Sequence, residues 1–186
     1  MRVIIGLGNP GSQYQNTRHN AGYLAIDYLA ARAAEKSNEN LTWEENKRFQ
    51  ALIYKSNDTI FAKPLSYMNA SGRSAQAILN YYHLLPKKIG LIKKKDSDLS
   101  DFLIVIHDDI DIELGKMKIS LDSRSAGHRG VESIIQYLKT KNFTRIRLGI
   151  NSPAKGQIPT DKFVLQKFSP AELKLLEGVI TSLNID

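Results

Sequence analysis

The chain has 186 residues, of which 42% are hydrophobic and 24% are charged, and it contains no cysteine. This length corresponds to about one domain, and the balance of residue types excludes disordered, collagen-like and coiled-coil chains. The formal net charge of +7 favours an acidic partner without identifying one.

The first half of the chain predicts the alternating elements of an α/β protein. A β-branched apolar run predicts a strand over 2–7, and residues 8–18 are polar and glycine-rich, as in a loop. Apolar residues then recur at helical spacing from Asn20. The other elements predicted in this half are strands over 50–55 and 58–63, joined by a Ser-Asn-Asp turn, and a helix over 69–83.

The second half continues the alternation. An apolar run over 102–107 predicts a central strand, and alternation over 116–121 predicts a strand with one buried face. The last predicted elements are a helix over 130–139, a strand over 145–150 and a helix over 169–183 with Ser169 as its N-cap. We therefore expect one α/β domain over 1–186, with a mixed, mostly parallel β-sheet flanked by helices. The lysine-rich segment 87–101 is predicted to be a connection within this domain.

The absence of cysteine excludes disulfide frameworks, thiol nucleophiles and cysteine-ligated metal sites, and it fits a reducing cytoplasm. The N-terminal sequence MRVIIGLGNPG lacks the long apolar core of a secretory signal. No run approaches the roughly 20 apolar residues of a membrane span. These features predict a cytoplasmic location and no association with membranes.

Residues 6–11, at the end of the first predicted strand, fit the pattern G-x-G-x-x-G, with glycines at Gly6, Gly8 and Gly11. A dinucleotide site of this type needs a helix that begins inside the motif, and an acidic residue about 20 residues further on. Pro10 and the polar residues after it keep the chain irregular, and Asp27 lies within the predicted helix. The pattern is therefore more typical of a loop that displays polar side chains at the carboxyl end of a strand, where α/β sheets place their sites.

That loop displays several side chains that can bind or activate a substrate. They are Asn9, Tyr14, Arg18, His19 and Asn20. A single histidine is more often structural than catalytic, but His19 has no apolar helix face to fill, so its imidazole fits a catalytic role as well as a structural one.

Four acidic residues, Asp108, Asp109, Asp111 and Glu113, follow the predicted central strand. A calcium loop would need a glycine one position earlier than Gly115. A two-metal site and a hydrated turn remain alternatives. In a further interpretation Asp108 holds the imidazole of a histidine from another loop, whose second nitrogen accepts a proton from water. Asn69 opens the second predicted helix, either as its cap or as a group that binds a peptide or stabilises an oxyanion.

The excess positive charge is concentrated in one part of the chain. Residues 116–160 contain nine basic and two acidic residues, whereas the remainder contains 17 of each. A local excess of this kind is typical of a surface that binds phosphates, although a solvated basic face gives the same count. The contacts we prefer for such a partner are Lys116, Lys118, Arg145 and Arg147.

With these residues assembled, the chain resembles the bacterial-type peptidyl-tRNA hydrolases. The resemblance rests on five segments in the family's order: GLGNPGSQYQNTRHNAGYLAID at 6–27, KPLSYMNASG at 63–72, IHDDIDIELGKMKI at 106–119, AGHRGVESI at 126–134 and RIRLGI at 145–150. The resemblance implies hydrolysis of the ester between a peptide and the 3′ ribose of tRNA. It also implies a monomer that needs no metal and no other cofactor, and whose partner is peptidyl-tRNA, bound at its acceptor arm and 3′ end.

The resemblance also assigns roles to individual residues. His19 matches the family's general base, Asp108 matches the acid that supports it, and Asn9 matches the asparagine that distinguishes blocked from free aminoacyl groups. Asn69 and Tyr67 match residues that line the site, and Tyr14 matches a tyrosine that contacts tRNA.

The sequence departs from the family pattern around its fourth motif. Arg129 stands where Asn is usual, and the preceding glycine run is reduced to Ser-Arg-Ser-Ala-Gly at 123–127. We expect this loop to be stiffer than in relatives and Arg129 to contact tRNA, since a guanidinium can bind a phosphate. Arg129 also leaves open a second hypothesis, in which the protein holds RNA without cleaving it.

Overall fold

The computed structural model describes residues 1–85 and 96–184 of the chain. Its strands are β1 (Arg2–Gly6), β2 (Glu44–Asn46), β3 (Ala51–Ser56), β4 (Thr59–Pro64), β5 (Leu103–Glu113), β6 (Met117–Ser120) and β7 (Thr144–Asn151). They form a single seven-stranded sheet in the order β2-β3-β4-β1-β5-β7-β6.

The sheet is mixed, as the sequence predicts. β1 pairs in parallel with both β4 and β5, and β5 pairs in parallel with β7. The pairs β2–β3, β3–β4 and β6–β7 are antiparallel and lie toward the two edges. Parallel pairing thus forms the centre of the sheet, and among the described residues it is as frequent as antiparallel pairing rather than more so.

Helices cover both faces of this sheet. They are α1 (Ala21–Lys36), α2 (Ser71–Tyr81), α3 (Arg129–Leu138), α4 (Thr160–Phe163) and α5 (Pro170–Thr181). Ile4 of β1 packs in the core formed with α1 and α5, whereas Val3 and Ile5 pack in the core formed with α2 and α3. None of the helices in the described part of the chain is long and apolar enough to cross a membrane.

The glycines of the first motif serve close packing. A Cβ at Gly6 would lie 2.3 Å from the carbonyl oxygen of Gly22 in α1, and a Cβ at Gly22 would lie 2.4 Å from the carbonyl oxygen of Ile106. Helix α1 therefore lies directly against β1 and β5. Between Gly6 and Ala21 the chain contains only two short 3₁₀ turns, Ser12–Tyr14 and Arg18–Asn20, so no helix begins inside the glycine pattern, as we expected.

Three features differ from the predicted elements. β5 continues to Glu113 instead of ending at 107, because buried Ile112 alternates with exposed Asp111 and Glu113, as in a strand with one buried face. β2 is an edge strand of three polar residues, and α4 is a single turn, so neither carries a periodic signal. Of the predicted lysine-rich connection, residues 87–95 lie outside the described residues.

Candidate active site

A cleft of about 580 Å³ opens where β1, β4 and the parallel part of β5 end. It brings together residues from distant parts of the chain. Seven of its lining residues are ones that the sequence predicts as site residues, namely Asn9, Tyr14, His19, Tyr67, Asn69, Asp108 and Arg129. Their convergence supports the interpretation of the glycine-rich segment as a loop that displays side chains.

His19 and Asp108 are in direct contact at the base of this cleft. His19 lies in the 3₁₀ turn that precedes α1, and its Nδ1 is 2.9 Å from Oδ1 and 3.1 Å from Oδ2 of Asp108. The Asp108 side chain is 3% exposed and that of His19 is 13% exposed. Asp108 lies within β5, beyond the last residue that pairs with β1, so the extended strand carries the carboxylate to the edge of the parallel core.

A second histidine, His128, shares the same carboxylate, and sequence reasoning missed it. Its Nε2 is 3.0 Å from Oδ1 of Asp108, and its Nδ1 accepts hydrogen bonds from the backbone N–H groups of Gly130 and Val131 at the start of α3. Because Nδ1 accepts, Nε2 carries the proton and donates it to Asp108. The signal in the sequence is His128 itself, in a glycine-containing loop directly before Arg129. His19, Asp108 and His128 are hereafter the acid–histidine cluster.

The pKa values of Asp108 and His19 show that the carboxylate of the cluster is ionised. Burial raises the pKa of Asp108, but the charges and hydrogen bonds of His19 and His128 lower it more, so the pKa lies well below 3.8. Burial lowers the pKa of His19, while the Asp108 carboxylate and its hydrogen bond outweigh this and raise it above 6.5. The charge of Arg129 lowers it by a smaller amount. The ionised carboxylate therefore keeps the proton of neutral His19 on Nδ1 and leaves Nε2 as an acceptor toward the cleft.

A third histidine, His107, packs against the His128 side of the cluster. His107 is fully buried, its ring centre lies 4.7 Å from that of His128, and its Nδ1 lies 2.7 Å from the backbone oxygen of Asp108. Burial, together with the neighbouring His128, lowers the pKa of His107 to about 3. His107 is thus a neutral packing partner of the cluster.

Asn9 is fixed with its amide nitrogen free. Its Oδ1 accepts the backbone N–H of Met68 at 2.9 Å, and Asn20 bonds both the backbone N–H and the backbone oxygen of Asn9. Since Oδ1 faces a donor, Nδ2 is the remaining polar atom. Nδ2 has no hydrogen-bond partner within residues 1–85 and 96–184, and Asn9 lines the cleft.

Tyr67 and Asn69 also line the cleft, and both side chains are exposed. Tyr67 precedes a 3₁₀ turn, Met68–Ala70, that leads into α2, and Asn69 is the middle residue of that turn. The N-cap residues here are Tyr67 and Ala70, and neither helix start is capped by a side chain. The capping alternative for Asn69 is therefore not observed, and its amide is available to a ligand.

The acidic residues after Asp108 do not form a metal loop. Asp109 is buried and its Oδ2 accepts Nε of Arg147 at 2.7 Å, while Asp111 and Glu113 are exposed on a strand. Among the described residues, one group could hold a metal ion, since single donor atoms of His19, Asp108 and His128 lie within 4.8 Å of one another. Hydrogen bonds of 2.9 and 3.0 Å within this group already use the oxygen that such an ion would need.

The four basic residues that we preferred as phosphate contacts separate into two sets. Lys116 and Lys118 are exposed on the β6 side of the sheet, and the Arg147 side chain is 24% exposed beside them. These three are hereafter the basic edge. Arg145 is 1% exposed and its guanidinium bonds the backbone oxygens of Ser123 and Arg124.

The prediction of Arg145 as a phosphate contact is therefore wrong on this structure, because Arg145 points under the loop 123–127 and holds it. Charge counting cannot distinguish it from Arg147, two residues away on the same strand.

Comparisons with known proteins extend the likeness seen in the motifs. The sequence model of the family described as Peptidyl-tRNA hydrolase matches residues 3–185. A peptidyl-tRNA hydrolase of Mycoplasma capricolum is 44% identical over 181 residues, covering 95% of this chain and 86% of that protein. One of Aquifex aeolicus is 40% identical over 182 residues, covering 97% and 84%. The crystal structure of peptidyl-tRNA hydrolase from Acinetobacter baumannii is 28% identical, with a TM-score of 0.78 over 97% of this chain and 83% of that one.

Proposed function

The chain belongs to the peptidyl-tRNA hydrolase family, a family of hydrolases, and we propose that it cleaves the ester between a peptide, or an N-blocked aminoacyl group, and the 3′ ribose of tRNA. The reaction would return tRNA from prematurely released peptidyl-tRNA to translation. One observation carries the proposal: Nδ1 of His19 is bonded to buried Asp108, and His19 lines a cleft with two asparagines. The sequence predictions of a cytoplasmic monomer without metal or cofactor stay predictions within this proposal.

His19 acts in the proposal as the general base. Its Nε2 takes a proton from water, the resulting hydroxide adds to the ester carbonyl carbon, and the negative charge moves to the carbonyl oxygen. Collapse of this intermediate breaks the bond to the ribose 3′ oxygen, which takes the proton back from Nε2. General-base assistance of this type contributes about 10²–10⁴-fold.

Asp108 supports both states of His19. Its carboxylate orients the ring through Nδ1 and stabilises the imidazolium that forms when the water is deprotonated. His128 donates to the same carboxylate from a position fixed by α3, so Asp108 is held from a second direction. The base therefore does not have to reorganise during the reaction.

The two asparagines supply donors for the acyl group. Asn69 is exposed on the lip of the cleft, where its amide and nearby backbone N–H groups would stabilise the oxyanion. Nδ2 of Asn9 would donate to the carbonyl oxygen of the first peptide bond. A free α-amino group offers no such acceptor, so a blocked substrate gains a hydrogen bond that a free aminoacyl group lacks.

The basic edge would hold the acceptor arm of tRNA. Lys118 and Arg147 are directly paired across β6 and β7, so their side chains share one face of the sheet. Like charges in such a pair repel each other, and a phosphate between them would relieve that repulsion. Asp109 binds Nε of Arg147, which leaves the terminal nitrogens of the guanidinium for this contact.

Arg129 and Tyr14 would contact the tRNA closer to the reacting bond. Both line the cleft, and Arg129 is exposed at the first residue of α3. A cation there would bind a phosphate near the 3′ end while acting on His19 through its charge.

The test is release of a labelled N-acetyl-aminoacyl group from tRNA by the purified protein. We expect release by the wild-type protein and a loss of about 10²–10⁴-fold in kcat for His19→Ala. His83→Ala is the matched control, because His83 is exposed and follows α2, away from the cleft. Wild-type rates for His19→Ala would refute the mechanism, and binding of tRNA without release would favour the hypothesis of an RNA-binding protein.

A further inference from the structure

The residue before His19 is an arginine with no contact to the cleft. The Arg18 side chain is 2% exposed, and its guanidinium carbon lies 4.3 Å and 5.2 Å from the ring centres of Phe163 and Phe168. Its Nη2 is 2.6 Å from Oε1 of Glu172 in α5. The mechanism proposed above does not use this buried ion pair.

The backbone around Arg18 is joined to the segment after α4. Arg18 donates its N–H to Gln166, His19 donates its N–H to Val164, and Phe168 donates its N–H to Asn16. Nη1 of Arg18 donates to the backbone oxygens of Lys167, at 2.8 Å, and Gln166, at 3.3 Å. Residues 164–168, hereafter the wall strip, are thus bonded along the turn that carries His19, and Val164 and Leu165 line the cleft.

Glu172 fixes the other end of this arrangement. Its Oε1 also accepts the hydroxyl of Ser152, at 2.7 Å, and its Oε2 accepts the backbone N–H of Ser169, at 2.8 Å, in the capping box of α5. One carboxylate therefore connects the residue that follows β7, the start of α5 and the turn of His19.

A buried ion pair is less favourable at this position than an apolar side chain of similar size. Methionine or leucine between Phe163 and Phe168 would avoid the desolvation of two charges, which costs several kcal/mol per ion. Nε of Arg18 is buried without a partner among the described residues, a further cost. What a guanidinium offers instead is a rigid fork that bonds a carboxylate and two carbonyls at once.

We propose that Arg18 and Glu172 are a positioning pair, which holds the wall strip against the backbone of His19 and so sets the distance between His19 and Asp108. The inference rests on the proposed function for its kinetic consequence but not for its structural one. Displacement of a catalytic group by about 1 Å costs about 100-fold in rate. The pair touches neither substrate nor reacting atoms, so its loss acts on kcat through His19.

The experiment uses the variants Arg18→Lys and Glu172→Gln, which keep a cation or the hydrogen-bonding shape and are expected to fold. The first readout is the pKa of His19, followed by NMR of its ring in the full-length protein. We expect this pKa to fall, because a longer distance to Asp108 weakens the interaction that raises it. The second readout is turnover of N-acetyl-aminoacyl-tRNA, with kcat lower by about 10–100-fold and KM within about threefold.

Arg32→Met is the matched control, because Nη1 of Arg32 bonds the backbone oxygen of Leu183 after α5, and Arg32 does not line the cleft of the acid–histidine cluster. It should lower the melting temperature and leave the pKa of His19 unchanged. Folded Arg18→Lys and Glu172→Gln proteins with a wild-type pKa of His19 would overturn the inference, whatever their turnover. A shifted pKa in a protein whose wild type releases no label would support the pair and refute the proposed function.

Discussion

The acid–histidine cluster and the basic edge hold their charged groups in opposite surroundings. In the cluster, one buried carboxylate is shared by two imidazoles at 2.9 and 3.0 Å. At the basic edge, Lys116 forms an ion pair with Glu113 in which both side chains are about two-thirds exposed, and Arg147 reaches the surface beside Lys118. Burial makes each contact in the cluster strong and specific, whereas solvent and salt weaken each contact at the edge.

The difference matches two parts of the proposed reaction, the chemical step and the binding of tRNA. Buried groups that cannot rearrange are suited to lowering the barrier of the chemical step, and exposed cations are suited to gathering a polyanion from solution. We therefore expect changes in the cluster to act on kcat and changes at the edge to act on KM.

The largest effect is expected for Asp108→Asn. The amide of Asn would donate to Nδ1 of His19, so the ring proton would move to Nε2 and the base would be blocked. We predict a fall in kcat of about 10²–10⁴-fold, in line with the corresponding change in serine proteases. Asp111→Asn on the exposed side of β5 is the control, and single-turnover release of labelled acyl group is the measurement. Equal rates for Asp108→Asn and Asp111→Asn would show that the buried carboxylate contributes no more to the reaction than an exposed one.

The second effect concerns pH. In the proposed mechanism neutral His19 is the active form, so kcat/KM should be lost as pH falls through the pKa of His19, which is raised above 6.5. Below that pKa we predict a loss of about tenfold per pH unit. His107, with a pKa of about 3, does not contribute to this limb. A pH–rate profile that is flat between pH 5 and 8, about the range in which histidines titrate, would contradict His19 as the base.

The third effect sharpens the role of the basic edge. Lys118→Glu removes one proposed phosphate contact and adds a repulsive charge, so KM should rise about tenfold while kcat stays within about threefold. The slope of log KM against log salt should fall by about one, because fewer counterions are released. Lys174→Glu on the exposed side of α5 is the charge-matched control. An equal rise in KM for both variants would show that net charge, and not this edge, binds tRNA.

The smallest effect is expected where the two regions meet. Arg129→Asn removes a charge that lowers the pKa of His19, so the acid limb should move to higher pH by a fraction of a unit. KM should rise about two- to fivefold as a phosphate contact is lost. Arg124→Asn, on the loop before α3 and outside the cleft lining, serves as control. If the acid limb of the pH–rate profile does not move in Arg129→Asn, the charge of Arg129 does not affect the pKa of His19.

The sequence predicts the parts of the molecule in which one signal dominates. Buried runs such as 2–7 and 102–107 and the N-cap at Ser169 are local patterns, and they correctly predict β1, the first half of β5 and the start of α5. Convergence of Asn9, His19, Asn69 and Asp108 in one cleft is observed as well, because strands of a parallel core end at one edge.

The parts that could not be predicted depend on tertiary contacts. Arg145 and Arg147 lie two residues apart on β7 and carry the same charge, and only the position of the loop 123–127 decides that Arg145 is buried beneath it while Arg147 reaches the surface. His128 is a single residue whose role exists only once α3 places it beside Asp108. The strand beyond residue 107 extends because β7 is long enough to pair with it.

The contact between Arg18 and Glu172 has a consequence for synthesis of the chain. It joins residues 154 positions apart, and the N-terminal part of a protein leaves the ribosome first. The turn that carries His19 is made early, but the carboxylate of Glu172, which bonds Arg18, is added only 154 residues later. A nascent molecule therefore contains both members of the histidine–aspartate couple for some time before their geometry is fixed. If the pair positions His19 as proposed, activity begins only after α5 has been made, and not when the sheet forms.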